Sequence, residues 1–172
     1  MKNLFITVTI LLALTAVFLS CEKKQLPAIV IEAGINIIPV DPNGNNLLLE
    51  ATGPYSSFDS MWLYYVVNGT PRKVFNRNLD ASKGMRLLDD DLGRRLNVFP
   101  YLPDSAFGEE GEHFTTSYLQ WNSHDMDTIY ARFVYKDSDR GSSMVLTDVW
   151  YNGVKKYPDA VNAQNQSFTV VK

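Results

Sequence analysis

The sequence predicts an all-β fold, an antiparallel β-sandwich or barrel of about eight to ten short strands. Three observations carry that expectation. β-Branched and aromatic residues recur in short runs. Clusters of Gly, Pro, Asn and Asp punctuate those runs at short intervals. No stretch beyond Ser20 shows a sustained helical period, which an amphipathic helix would require.

The elements follow in order. "AIVIEAGINIIPV" reads as one strand, with Ile29, Ile31, Ala33, Ile35 and Ile37 alternating onto one face. "DPNGNN" (Asp41 to Asn46) reads as a turn, Pro42 presetting φ and Gly44 allowing φ > 0, and "LLLEA" as the next strand. In "DSMWLYYVVNGTPRKVF" two runs flank Asn68-Gly69, the signature of a two-residue type I′ hairpin. "VLTDVWYNGVKKY" repeats the device at Asn152-Gly153. Between them, residues 76–113 are rich in Gly and Pro. There "RRLNVFPYL" reads as a strand, "SKGMRLLDDDLG" as a helical turn, and the rest as long loops of the kind that often carry function. "TTSYLQWNSHDMDTIYARFVY" predicts two strands around the polar turn "NSHDMD", and "QSFTVV" closes the chain as a final strand.

The first residues have a different logic. Lys2 is the only charge before Glu22, and every residue from Leu4 to Leu19 is apolar or threonine. That is the layout of a secretory signal peptide. A spanning helix needs about 20 apolar residues, and this run is shorter and interrupted by Thr7, Thr9 and Thr15. The chain's one cysteine, Cys21, follows at once. "FLSC" resembles the lipobox of bacterial lipoproteins, with Phe18 where Leu is commonest. The resemblance implies cleavage between Ser20 and Cys21, a diacylglycerol thioether on Cys21 and acylation of the freed amine, with palmitate as a fitting chain. Residues 1–20 are then a cleaved signal peptide, 21–28 a lipidated tether, and 29–172 a single domain. One acyl chain holds a membrane only marginally, whereas two or three hold it durably. The expected location is the bacterial cell envelope, on the outer membrane.

A second resemblance covers most of the mature chain. "INIIPVDPNGNNLL", "QWNSHDMDTIYARF" and "VWYNGVKKY" are similar to segments of small lipoproteins of gut Bacteroidetes. It implies an immunoglobulin-like or transthyretin-like β-sandwich behind the lipid anchor, and it brings no catalytic residue.

Composition narrows the function. The formal charge is −3, and a weakly acidic chain lacks the basic face that nucleic acid demands. With Cys21 acylated no thiol remains for a disulfide, a thiolate metal site or a nucleophile. The two histidines, His113 and His124, lie in no hydrolase motif, and no G-x-S-x-G occurs. His124, Asp125 and Asp127 form a weak metal-ligand set that a strand-connecting turn explains better. Asp41, Asn43 and Asn45 begin like a calcium loop but lack its glycine and its closing glutamate. No cofactor is expected. Trp62, Tyr64, Trp121 and Trp150 are the candidate ligand surface, since "MWLYYVV" places large residues on both faces of a strand. Ser105, in the loop tripeptide "DSA", matches a short bacterial O-glycosylation pattern, as do Ser60 and Thr128 in "DSM" and "DTI". The expectation is a lipid-anchored, non-enzymatic module that binds a protein or glycan. The alternatives are a glycan hydrolase using carboxylates from 76–113 and a structural subunit of a surface complex.

Overall fold

The computed structural model describes residues 28–50, 53–91, 93–138, 141–158 and 166–172. Ser20 and Cys21 lie outside them, with the rest of the signal and most of the tether. Among the described residues the chain forms eleven strands and no α-helix: β1 (Ala28–Glu32), β2 (Ile35–Val40), β3 (Trp62–Val67), β4 (Thr70–Lys73), β5 (Met85–Asp90), β6 (Gly93–Val98), β7 (Gly111–Asn122), β8 (Asp125–Lys136), β9 (Gly141–Tyr151), β10 (Val154–Tyr157) and β11 (Ser167–Val171). They make two sheets, both with open edges, so the fold is not a barrel. One runs β1-β9-β8-β7-β3-β4, with β10 also paired to β9; the other runs β11-β2-β6-β5.

Pairing is antiparallel except at the chain ends. β1 lies parallel to the first half of β9, and β11 lies parallel to β2, so both sheets are mixed. The expected all-antiparallel arrangement is corrected there. Antiparallel neighbours can be joined by tight turns, but terminal strands have no such tie to a sequence neighbour and are free to add in either sense.

Two further expectations change. "AIVIEAGINIIPV" is two strands in different sheets, broken at Ala33-Gly34, because β1 pairs β9 while β2 pairs β6. Ile35 and Ile37 are buried, but Ile31 is exposed on its edge strand. "LLLEA" does not start a strand. Leu47–Leu49 wind into a 3₁₀ turn, because the Asn46 side chain accepts from the Leu48 N–H at 3.0 Å and donates to the Arg94 carbonyl at 2.7 Å. The turn tucks Leu47 and Leu48 into the core.

The 76–113 region is more regular than its Gly and Pro content suggested. Residues of "SKGMRLLDDDLG" form β5, a strand and not a helical turn, because Asp89 and Asp90 find cross-strand partners. Arg94 contacts Asp89 at 2.6 Å, and Arg95 grips Asp90 with two bonds of 2.5 and 2.7 Å. Gly84 enters β5 at φ +69°, and a Cβ there would sit 2.9 Å from the Tyr65 hydroxyl, so no side chain fits.

The Asn-Gly turns behave as the sequence predicts. Asn68 and Gly69 have φ of +51° and +75°, and Asn152 and Gly153 of +49° and +80°, the two positive angles of a type I′ hairpin. One apolar core joins the sheets: Ile35, Ile37, Leu96, Val98, Phe168 and Val170 from the smaller, Leu63, Leu119, Ile129, Phe133 and Leu146 from the larger.

Candidate functional site

Alternation along β7, β8 and β9 sends odd-numbered residues of β7 and β8 into the core and even-numbered ones outward. Tyr130 lies opposite Trp150, and Phe114 lies diagonal to Tyr130 through the Thr116↔Tyr130 and Phe114↔Arg132 pairs. The three rings form a row across the sheet. Phe114 and Tyr130 are nearly parallel, with centroids 5.7 Å apart and planes 15° apart, and Tyr130 and Trp150 are 5.5 Å apart. Phe114 is 49% exposed and Tyr130 39%, and side by side they form a contiguous apolar patch on the outer face.

A charged cluster adjoins the row. Asp148 is buried on this outer face because Arg132 and Lys155 cover it. It accepts from Arg132 Nε at 2.6 Å and meets Lys155 Nζ at 2.5 Å. Arg132 also reaches Glu112 at 2.9 Å, and Lys155 lies 5.7 Å from the Trp150 ring centre. Burial pushes the Asp148 carboxyl up, but the hydrogen bonds from Lys155 and Arg132 outweigh it and hold it below the ordinary 3.8. Its ionised form therefore adds stability above that pH and loses it as the carboxylate protonates below. The melting temperature is expected to fall as pH drops below 3.8, and less steeply in Asp148→Asn; equal slopes in the two chains would refute this role.

Trp62 and Tyr64 share the same outer face, one strand beyond β7. Lys73 Nζ sits 3.4 Å from the Trp62 ring centre and Lys83 Nζ 4.3 Å. Lys83 is held there by the carbonyls of Phe58, Asp59 and Met61 at 3.0 to 3.3 Å. The Trp62 ring is thus occupied by cations, and the Tyr64 hydroxyl donates to Gln120 at 2.8 Å. Of the aromatics expected at the surface, Trp150 joins the outer row half-buried, and Trp62 and Tyr64 lie one strand beyond β7.

Trp121 is a correction. It is fully buried, not part of a surface. Trp121 follows Thr115, Ser117 and Leu119 on the core face of β7, where unbroken alternation puts it. Its indole N–H donates to Asp127 at 2.7 Å. Phe114 and Tyr130 take its place on the outer face. Alternation within each strand gives their faces, since Leu119 and Trp121 in β7 and Ile129, Ala131 and Phe133 in β8 face the core, and the register shift near the hairpin tip brings the two outer faces into line.

Around Asp127 lies the second notable site. Asp127 receives Trp121 Nε1, the Tyr151 hydroxyl, Asn152 Nδ2 at 2.6 Å and the Lys172 ammonium. Lys172 also meets Asp125 at 2.9 Å, and the Tyr55 hydroxyl donates to Asp125 at 2.8 Å. Burial pushes the Asp127 carboxyl up, but the bonds from Lys172, Tyr151 and Asn152 hold it below the usual range. Burial, then Asp127, raises the Tyr151 hydroxyl; burial, then Asp125, raises that of Tyr55.

His124 does not join Asp125 and Asp127. It is exposed at the hairpin tip, bonded to Ser123 Oγ at 2.7 Å. Among the described residues no three His, Cys, Asp or Glu side chains gather as a metal site. Asp41 spends its oxygens on Asn43 and Asn45, closing its own turn. Ser105 sits exposed in a 3₁₀ turn, Asp104–Ala106, whereas Ser60 binds the Ser57 carbonyl and Thr128 lies within β8. In the 76–113 region Asp89, Asp90 and Glu112 are engaged by arginines, and Glu110 accepts from the Asp137 N–H. No protein-family model matches the chain, and no curated protein or solved structure matches it either.

Proposed function

We propose that this chain is a lipid-anchored cell-envelope protein whose domain binds a glycan, without catalysis, on the outer face of its larger sheet. The observation that carries the reading is the outer-face Phe114–Tyr130–Trp150 row, in which Phe114 and Tyr130 are exposed and Trp150 is half-buried. A pyranose ring has an apolar face of C–H groups and a rim of hydroxyls. The row offers π-faces for the first, and the adjoining Arg132, Glu112 and Lys155 offer hydrogen-bond partners for the second. A row of rings on rigid strands, with the Trp150 plane tilted 51° from that of Tyr130, suits an extended polymer better than a deep pocket would.

The anchor rests on the resemblance of "FLSC" to a lipobox, with Cys21 carrying the lipid and Ser20 the last residue removed. On that reading the membrane takes nothing from the domain's own surface, and the sheet face is left for a partner. The shared core between two open sheets supports a β-sandwich, of the immunoglobulin-like or transthyretin-like kind that the second resemblance implies.

The test is retardation of the purified chain in native gels cast with a panel of soluble polysaccharides. Tyr130→Ala and Trp150→Ala are each expected to weaken the positive hit about tenfold, roughly 1.4 kcal/mol, with a melting temperature lowered by no more than about 4 °C. No retardation by any polysaccharide, or retardation that both variants keep in full, overturns glycan binding on this face.

A further inference from the structure

We infer that Lys172 and Asp127 condense into an intramolecular isopeptide bond that staples the two sheets together. The geometry is that of a reacting pair. The Lys172 backbone N–H is fixed to the Val40 carbonyl of the smaller sheet at 2.9 Å, while its side chain crosses to β8 of the larger. Its ammonium rests directly on the Asp127 carboxylate, with the two side chains only 9% and 6% exposed. Trp121 lies beside them, its ring centre 5.7 Å from Lys172 Nζ. In water an ammonium and a carboxylate resist condensation, because each is strongly hydrated and water competes as product. Here burial has stripped that hydration. Holding the two groups in contact is worth an effective concentration of about 10⁵ M or more.

The remaining groups match the needs of the step. Asp125 touches the same nitrogen at 2.9 Å and is partly open to solvent. It takes a proton from the ammonium and delivers it to Asp127 Oδ1, which leaves a neutral amine facing a neutral acid. Nζ then attacks Cγ. Trp121 Nε1 and the Tyr151 hydroxyl already point at Oδ2, where negative charge develops in the tetrahedral intermediate. On collapse the Cγ–Oδ1 bond breaks, a second nitrogen proton follows the first through Asp125, and Oδ1 departs as water. The amide keeps one hydrogen on Nζ and one oxygen on Cγ. Nothing is oxidised or reduced, and no co-reactant is required. Asn152, which donates to Oδ1, orients the leaving oxygen.

The inference is independent of glycan binding, and a mass measurement decides it. The full chain is purified, kept at neutral pH, denatured and weighed, then digested with trypsin. The expected result is a chain one water lighter than Lys172→Arg after correcting for the substitution, whatever the processing at Cys21. The digest should yield a branched peptide joining the Asp127 segment to the segment ending in Lys172. If Lys172→Arg does not fold, the wild-type digest alone decides. Full mass and two linear peptides overturn the bond. Asp125→Asn is expected to fold and remain uncondensed; if it condenses as fast as the wild type, the assigned proton carrier is wrong.

Discussion

Asp127→Ala is expected to destabilise the domain by at least about 3 kcal/mol, measured by denaturant unfolding. Removing one member of a buried ion pair costs about 3–5 kcal/mol, because the partner is left charged and desolvated. The stranded group is Lys172, whose side chain has almost no access to water. Asp125 remains beside it and offsets part of that cost, which sets the estimate at the lower end. The loss does not stop there, since the buried Tyr151 hydroxyl loses its acceptor and the Trp121 indole N–H keeps only the Tyr151 oxygen at 3.0 Å. Each buried donor left without a partner costs about 1–3 kcal/mol. An isopeptide bond would add its own loss to these. A matched variant gives the contrast. Asp125→Ala removes a more exposed carboxylate with fewer partners, so its cost should be clearly smaller. Equal costs would show that the cluster is not organised around Asp127.

Asp127 also shows where sequence reading stops. Its spacing from Asp125 and His124 suggested a turn or a weak metal set, and the hairpin tip does fall at Ser123 and His124. Its decisive partner, Lys172, is 45 residues away and directly follows β11 of the other sheet. No local pattern links them, because β11 reaches its place only by a parallel pairing with β2. The same limit explains β1. Hydrophobic alternation through Ala33-Gly34 is continuous in sequence, and only the competition between β9 and β6 for partners splits it. Features set by neighbours were legible: the two Asn-Gly hairpins, the long β7–β8 pair, and the all-β class. The acidic run at Asp89–Asp91 misled because repulsion along a strand is local, whereas the arginines that relieve it stand on the facing strand. The outer aromatic row was half legible. Trp150 was expected there, while Phe114 and Tyr130 needed the register of three strands at once.

Trp121→Ala and Trp150→Ala should separate the two roles an aromatic plays on these strands. Trp121 is fully buried, packs edge-on against Tyr55 at 5.7 Å, and holds Asp127 through its indole N–H. Truncating a buried Trp costs about 3–5 kcal/mol through lost transfer energy and the cavity left behind. A drop in melting temperature of about 6–20 °C follows, at about 2–4 °C per kcal/mol for a domain near 150 residues. Trp150 lies half-buried on the outer face beside Tyr130 and Lys155 and is not one of the core residues, so its loss opens no cavity there. Its truncation should cost under about 1 kcal/mol, within the ordinary range for surface positions. Thermal unfolding of both variants beside the wild type reads the difference directly. A Trp150→Ala chain as unstable as Trp121→Ala would mean that the row serves the fold. A Trp121→Ala chain near wild-type stability would mean that the core closes over the gap and that Asp127 is held by its other donors.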